Sequence, residues 1–95
     1  MQYIIGSPDG VQKRIIGFNG QFPGPTLTCT NGKTMIVRVT NDMADDDEPT
    51  SIHWHGIQQT LSPFYDGPQS ITQCPIVRQT SMIYKFQLFQ SGTYW

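Results

Sequence analysis

Ninety-five residues, 37% of them hydrophobic and 12% aromatic, make one small domain with a thin core rather than a disordered chain. A net charge of −1 gives no basic footprint for a nucleic acid or an anionic membrane surface. No apolar run approaches the ~20 residues of a transmembrane helix, and the start, MQYIIGSPDG, lacks the basic and apolar regions of a signal peptide.

Taken in chain order, the expected elements are all β. The runs KRIIGF at 13–18, TLTCT at 26–30, TMIVRVT at 34–40, TSIHWHG at 50–56 and SMIYKFQLF at 81–89 are rich in β-branched and aromatic residues. Turn signals separate them: PDG, NG at 19–20 and again at 31–32, PGP, DGP and SG. TMIVRVT alternates, with Ile36, Arg38 and Thr40 on one face and Met35, Val37 and Val39 on the other. IYKFQLF alternates too, setting Tyr84, Phe86 and Leu88 against Ile83, Lys85, Gln87 and Phe89. No segment carries a helical period of ten or more residues. Short strands at this spacing point to a β-sandwich or barrel. QSGTYW reads as a turn entering a further strand, and the sequence reads as cut within a domain at Trp95.

Two features invite a bland and a sharper reading. NDMADDDEPT carries Asp42, Asp45, Asp46, Asp47 and Glu48, the raw material of a hard-cation site, but at no calcium-loop spacing. The expectation is a solvated connection kept extended by mutual repulsion. Cys29 and Cys74 are the two cysteines; they suffice for one disulfide, and the sequence leaves their state open. No Asn-x-Ser/Thr sequon marks the chain for export.

His53 and His55 are the only histidines, two apart around Trp54. On a strand, residues i and i+2 share a face about 6.6 Å apart. Both imidazoles then project one way and Trp54 the other, toward a core. Imidazole suits copper, zinc, iron and nickel. Two ligands fall short of the four of a structural zinc site, and neither cysteine is near in sequence. Ordinary packing histidines and half of a metal site both remain open on spacing alone.

The blocks NGQFPGPTL, TSIHWHGI, DGPQSITQCPI and SGTYW, in that order and spacing, closely resemble the first cupredoxin domain of the multicopper oxidases, laccases and ascorbate oxidases among them. The resemblance runs from about Ile15 to Trp95. It implies an all-β, cupredoxin-like Greek-key β-sandwich, incomplete at its C-terminal end, with residues 1–95 forming part of an N-terminal plastocyanin-like domain. It implies copper as cofactor, with His53 a ligand of the type-2 copper and His55 of one of the paired type-3 coppers in a trinuclear cluster that reduces dioxygen to water. Asp66, in FYDGP, matches an acidic residue that assists proton delivery; the Asp of an Asp-Gly turn explains it equally well. Cys74 matches a cysteine whose partner lies far toward the C-terminus, so no Cys29–Cys74 bond is expected. Its other reading is a buried free thiol. Cys29 matches no motif and is expected as a small core residue on its strand. Gly32-Lys33 and Phe64 depart from the family's common Gly-Asp and tryptophan, and neither is at a ligand position.

By the same resemblance the partners are the remaining cupredoxin domains of a longer, secreted protein, dioxygen, and a small reducing substrate such as a phenol. Further histidines of the cluster and the type-1 copper site are expected outside this chain, so the chain alone is expected to be inactive. Two rivals are a small blue-copper electron carrier, disfavoured because a type-1 site needs a cysteine and two histidines, and a truncated β-sandwich with a structural or binding role.

Overall fold

The computed structural model describes residues 1–43 and 48–95. Four strands carry it: β1 (Gln2–Gly6), β2 (Lys13–Gly17), β3 (Thr34–Thr40) and β4 (Ser81–Gln87). One short 3₁₀ turn, Pro63–Tyr65, is the only helical element among the described residues. β1 and β2 form an antiparallel hairpin in which Tyr3 faces Ile16 and Ile5 faces Arg14. β3 and β4 pair antiparallel across a long connection, from Thr34 opposite Gln87 to Thr40 opposite Ser81.

The alternation read from the sequence sets which face is buried. Val39, Tyr84 and Phe86 are buried on the inner face of the β3–β4 pair, with Met35 and Val37 packed beside them. Ile36, Arg38, Ile83 and Lys85 face outward. Ile76 completes the buried cluster, and Ile52, Trp54 and Tyr65 lean on it from the connection. Asn41, fully buried at the end of β3, closes that connection: its Nδ2 donates to the carbonyls of Glu48 (2.8 Å) and Ile76 (2.9 Å). Its Oδ1 accepts from the Met43 amide at 3.2 Å.

Several elements differ from expectation. Residues 26–30 are not a strand; they are exposed throughout, and none of their amides enters a ladder. β-branched residues favour a pleated, half-buried surface, and without an adjacent strand edge that preference has nothing to act on. Cys29 is therefore exposed rather than in the core, and Cys74 is exposed rather than a buried thiol. Both cysteines are free, as expected of the pair. Residues 50–56 pair only at Thr50, with Ile76, and residues 91–95 form no strand. β1 was not foreseen, since its five residues gain a partner only through the turn that follows. Of the acidic run, residues 45–47 lie outside the described residues; Asp42 and Glu48 are exposed, and Glu48 accepts a 2.6 Å hydrogen bond from the Tyr3 hydroxyl.

Candidate metal centre

The His-Trp-His segment is not held by a ladder. It is held at three points. The Ile52 amide donates to the hydroxyl of buried Tyr84 at 3.1 Å. The Trp54 ring packs against Tyr84 and Phe86, with centroids 5.4 and 4.8 Å away in tilted or edge-on geometry. Such aromatic pairs add about 0.5–1.5 kcal/mol each beyond area burial. The Trp54 amide donates to the Asp66 carbonyl at 3.3 Å. Trp54 packs inward against the core, while His53 and His55 are both exposed. Their ring centroids are 5.4 Å apart and their planes tilted by 53°.

His53 has a fixed partner. Its Nδ1 lies 2.7 Å from the main-chain oxygen of Asp66, while the Asp66 carboxylate Oδ1 is 3.5 Å away. The shorter contact dominates: 3.5 Å is outside the hydrogen-bond range, and it is an ion pair only when the ring is protonated. Asp66 follows the 3₁₀ turn, and Gly67 brings it in (φ +103°). A Cβ at Gly67 would overlap the Ile52 carbonyl oxygen and sit 2.9 Å from the His53 Cα. The 66–67 backbone thus lies directly on residues 52–53. On the far side, the Gln90 side chain clasps the segment after His55. Its Nε2 donates to the Gly56 carbonyl at 3.0 Å and its Oε1 accepts from the Gln58 amide at 2.6 Å. The His55 ring makes no hydrogen bond to a described residue.

Of the three residues singled out from the sequence, the two histidine rings stand 5.4 Å apart at a 53° tilt, and Asp66 touches His53. Sequence reasoning missed Gly67, Tyr84 and Gln90. The Asp-Gly pair was a visible signal for Gly67. Tyr84 and Gln90 act across 32 residues each, which no local pattern reveals. The Trp54 indole Nε1 is buried without a partner among the described residues.

Strands with almost no helix around an aromatic core make this an all-β domain. A family model described as multicopper oxidase matches residues 1–95, and the chain belongs to that family. It is 43% identical over 94 residues to an L-ascorbate oxidase of Nicotiana tabacum, covering 99% of this chain and 16% of that protein. It is 46% identical over 89 residues to Laccase-2 of Botryotinia fuckeliana, covering 94% of this chain and 15% of that protein. Among solved structures, a point mutant of the laccase from B. aclada superposes with a TM-score of 0.84 at 43% identity, over 96% of this chain and 16% of that one. The chain thus spans about a sixth of the length of these relatives.

The family implies copper. The donor set here suits it in part. Imidazole is a ligand copper accepts, and ligating histidines typically give their second ring N–H to a carbonyl or carboxylate, as His53 does. Among the described residues no group of three or more His, Cys, Asp or Glu is placed to hold a metal ion. The two rings therefore fit as part of a ligand set rather than as a whole one.

Proposed function

We propose that this chain is the N-terminal, plastocyanin-like domain of a laccase-like multicopper oxidase and that it contributes two histidines to the trinuclear copper cluster. The observation that carries this reading is the pair of exposed, adjacent imidazoles, one braced by the Asp66 carbonyl. His53 takes the type-2 position and His55 a type-3 position. When bound, the copper cluster would relay to dioxygen the electrons taken from a small reducing substrate, such as a phenol, oxidised elsewhere in the protein.

The chain's own residues do three things in this reading. Trp54, packed on Tyr84 and Phe86, turns both rings to one side and fixes their spacing. The Asp66 carbonyl holds the proton of His53 at Nδ1. The Asp66 carboxylate, one-third exposed and beside that ring, passes solvent protons toward the oxygen being reduced. The remaining ligands and the type-1 electron entry site belong to further domains of the whole protein, which is exported from the cell.

The test is His53→Ala and His55→Ala in the whole protein, read by copper content per molecule and by oxygen uptake with a phenolic donor. Each variant should lose copper and at least about 10³-fold in turnover, because metal catalysis depends on a complete and fixed coordination sphere. Full copper and full oxygen uptake with both histidines replaced would overturn the assignment.

A further inference from the structure

We propose that the main-chain carbonyl of Asp66, seated by Gly67, sets the tautomer and tilt of the His53 ring, so that Nε2 is the nitrogen offered to copper. The proposal rests on the reading of His53 as a copper ligand and deepens it. Gly67 is then a positioning residue, and the Asp66 carbonyl and carboxylate do separate work.

A carbonyl oxygen has no proton to give. At 2.7 Å from the Asp66 oxygen, the His53 Nδ1 must be the donor, and in the neutral ring Nε2 keeps the lone pair. The same oxygen accepts the Trp54 amide at 3.3 Å, so it is tied to the backbone directly after His53 as well as to the His53 ring. Its position is set by how closely the 66–67 chain can approach residues 52–53. That approach needs glycine twice over. The φ of +103° disfavours any L side chain. A Cβ would also overlap the Ile52 carbonyl oxygen and lie 2.6 Å from its carbon. These are backbone atoms, which cannot swing aside as a flexible side chain would. Any residue but glycine must therefore lift the carbonyl away from the ring. The carboxylate is no substitute, since its nearer oxygen stands 3.5 Å from Nδ1.

The experiment uses the whole protein with ¹⁵N-labelled histidine. In the copper-free form, the His53 ring resonances are identified by their loss in His53→Gln. They should report a protonated Nδ1 and a bare Nε2. Asp66→Asn and Asp66→Ala keep the carbonyl, so both should retain that tautomer and bind copper at the type-2 position within about twofold of the parent. Gly67→Ala should mix the tautomers and weaken type-2 copper binding by on the order of 10-fold or more, the usual cost of losing a ligand's outer partner. The type-2 electron paramagnetic resonance signal should broaden or shift with it. Should Gly67→Ala fail to fold, an ester in place of the 66–67 peptide bond weakens the same carbonyl as an acceptor while leaving every side chain in place, and it should give the same two changes. A protonated Nε2 in the copper-free parent overturns the proposal. So does a loss of copper in Asp66→Ala as large as in Gly67→Ala or the ester. Retention of all copper by His53→Gln instead overturns the ligand reading, and the copper-free resonances still decide the geometry separately.

Discussion

At the scale of single residues, two uses are proposed for Asp66, and substitution separates them. Asp66→Asn removes the carboxylate proposed to carry protons and leaves the carbonyl on His53. Oxygen reduction should fall by roughly 10²-fold or more, the usual share of a general acid, while copper content stays as it was. Oxygen uptake and metal analysis on the same sample check this; unchanged turnover would return Asp66 to the role of a turn residue. Tyr84 is a second case. Its ring is fully buried and its hydroxyl takes the Ile52 amide, one residue before His53. Tyr84→Phe keeps the packing with Trp54 and strands that amide, at a cost of about 1–3 kcal/mol. A lower thermal midpoint with an altered His53 resonance is the expected result. The histidine pair was legible because both rings stand two residues apart in one short stretch of sequence. Its supports were not, because Tyr84 and Gln90 reach it from residues far along the chain.

Among elements, the β3–β4 pair was the most legible, since each strand alternates cleanly and the inner positions are the ones found buried. The 26–30 run fails for the complementary reason: propensity describes a strand that has a partner, and these residues have none. Asn41 links the legible strands to the irregular connection between them. It holds the carbonyls of Glu48 and Ile76 and the amide of Met43 at once. Asn41→Ala leaves these without a partner in a closed space and should cost about 2–3 kcal/mol, seen as an earlier unfolding midpoint; Asn41→Asp, which cannot donate to two carbonyls, should not restore it. The β1–β2 hairpin offers the opposite expectation. Lys13, 2.7 Å away, together with the Val11 amide, holds the Asp9 carboxyl below its ordinary range. A lowered folded value means the contribution is present above the unfolded pKa and disappears as pH falls through the folded one. Both groups are exposed and screened. Asp9→Asn should leave the unfolding midpoint nearly unchanged at neutral pH, and a large drop would mean the hairpin turn depends on this pair.

For the whole molecule the balance of buried and exposed surface is the informative quantity. Only five hydrophobic side chains among the described residues are buried, while Leu61, Phe64, Ile71 and Trp95 are each more than 70% exposed. An open cleft of ≈ 430 Å³ runs between residues 18–27 and β3, floored by Val37, Val39, Ile52 and Trp54. The radius of gyration is 14.6 Å, against about 12.4 Å for a compact domain of this length. Apolar surface left in water at ~25 cal/mol per Å² is stabilisation not gained. We therefore expect the isolated 95-residue chain to associate or to unfold without one sharp transition. Size-exclusion chromatography and denaturant titration test this, and a monomer with a single cooperative transition would count against it. The same argument governs activity. Two imidazoles on a partly supported segment fix neither a full coordination sphere nor a closed cavity, and metal catalysis needs both. Copper binding by the isolated chain should be weak and should depend on His53 and His55 together, because either ring alone cannot chelate. Oxygen uptake with a phenolic donor should be undetectable for the isolated chain and present in the whole protein. Four-electron reduction of dioxygen by the 95 residues alone would show that the site is complete within them, and would remove the need for ligands from any further domain.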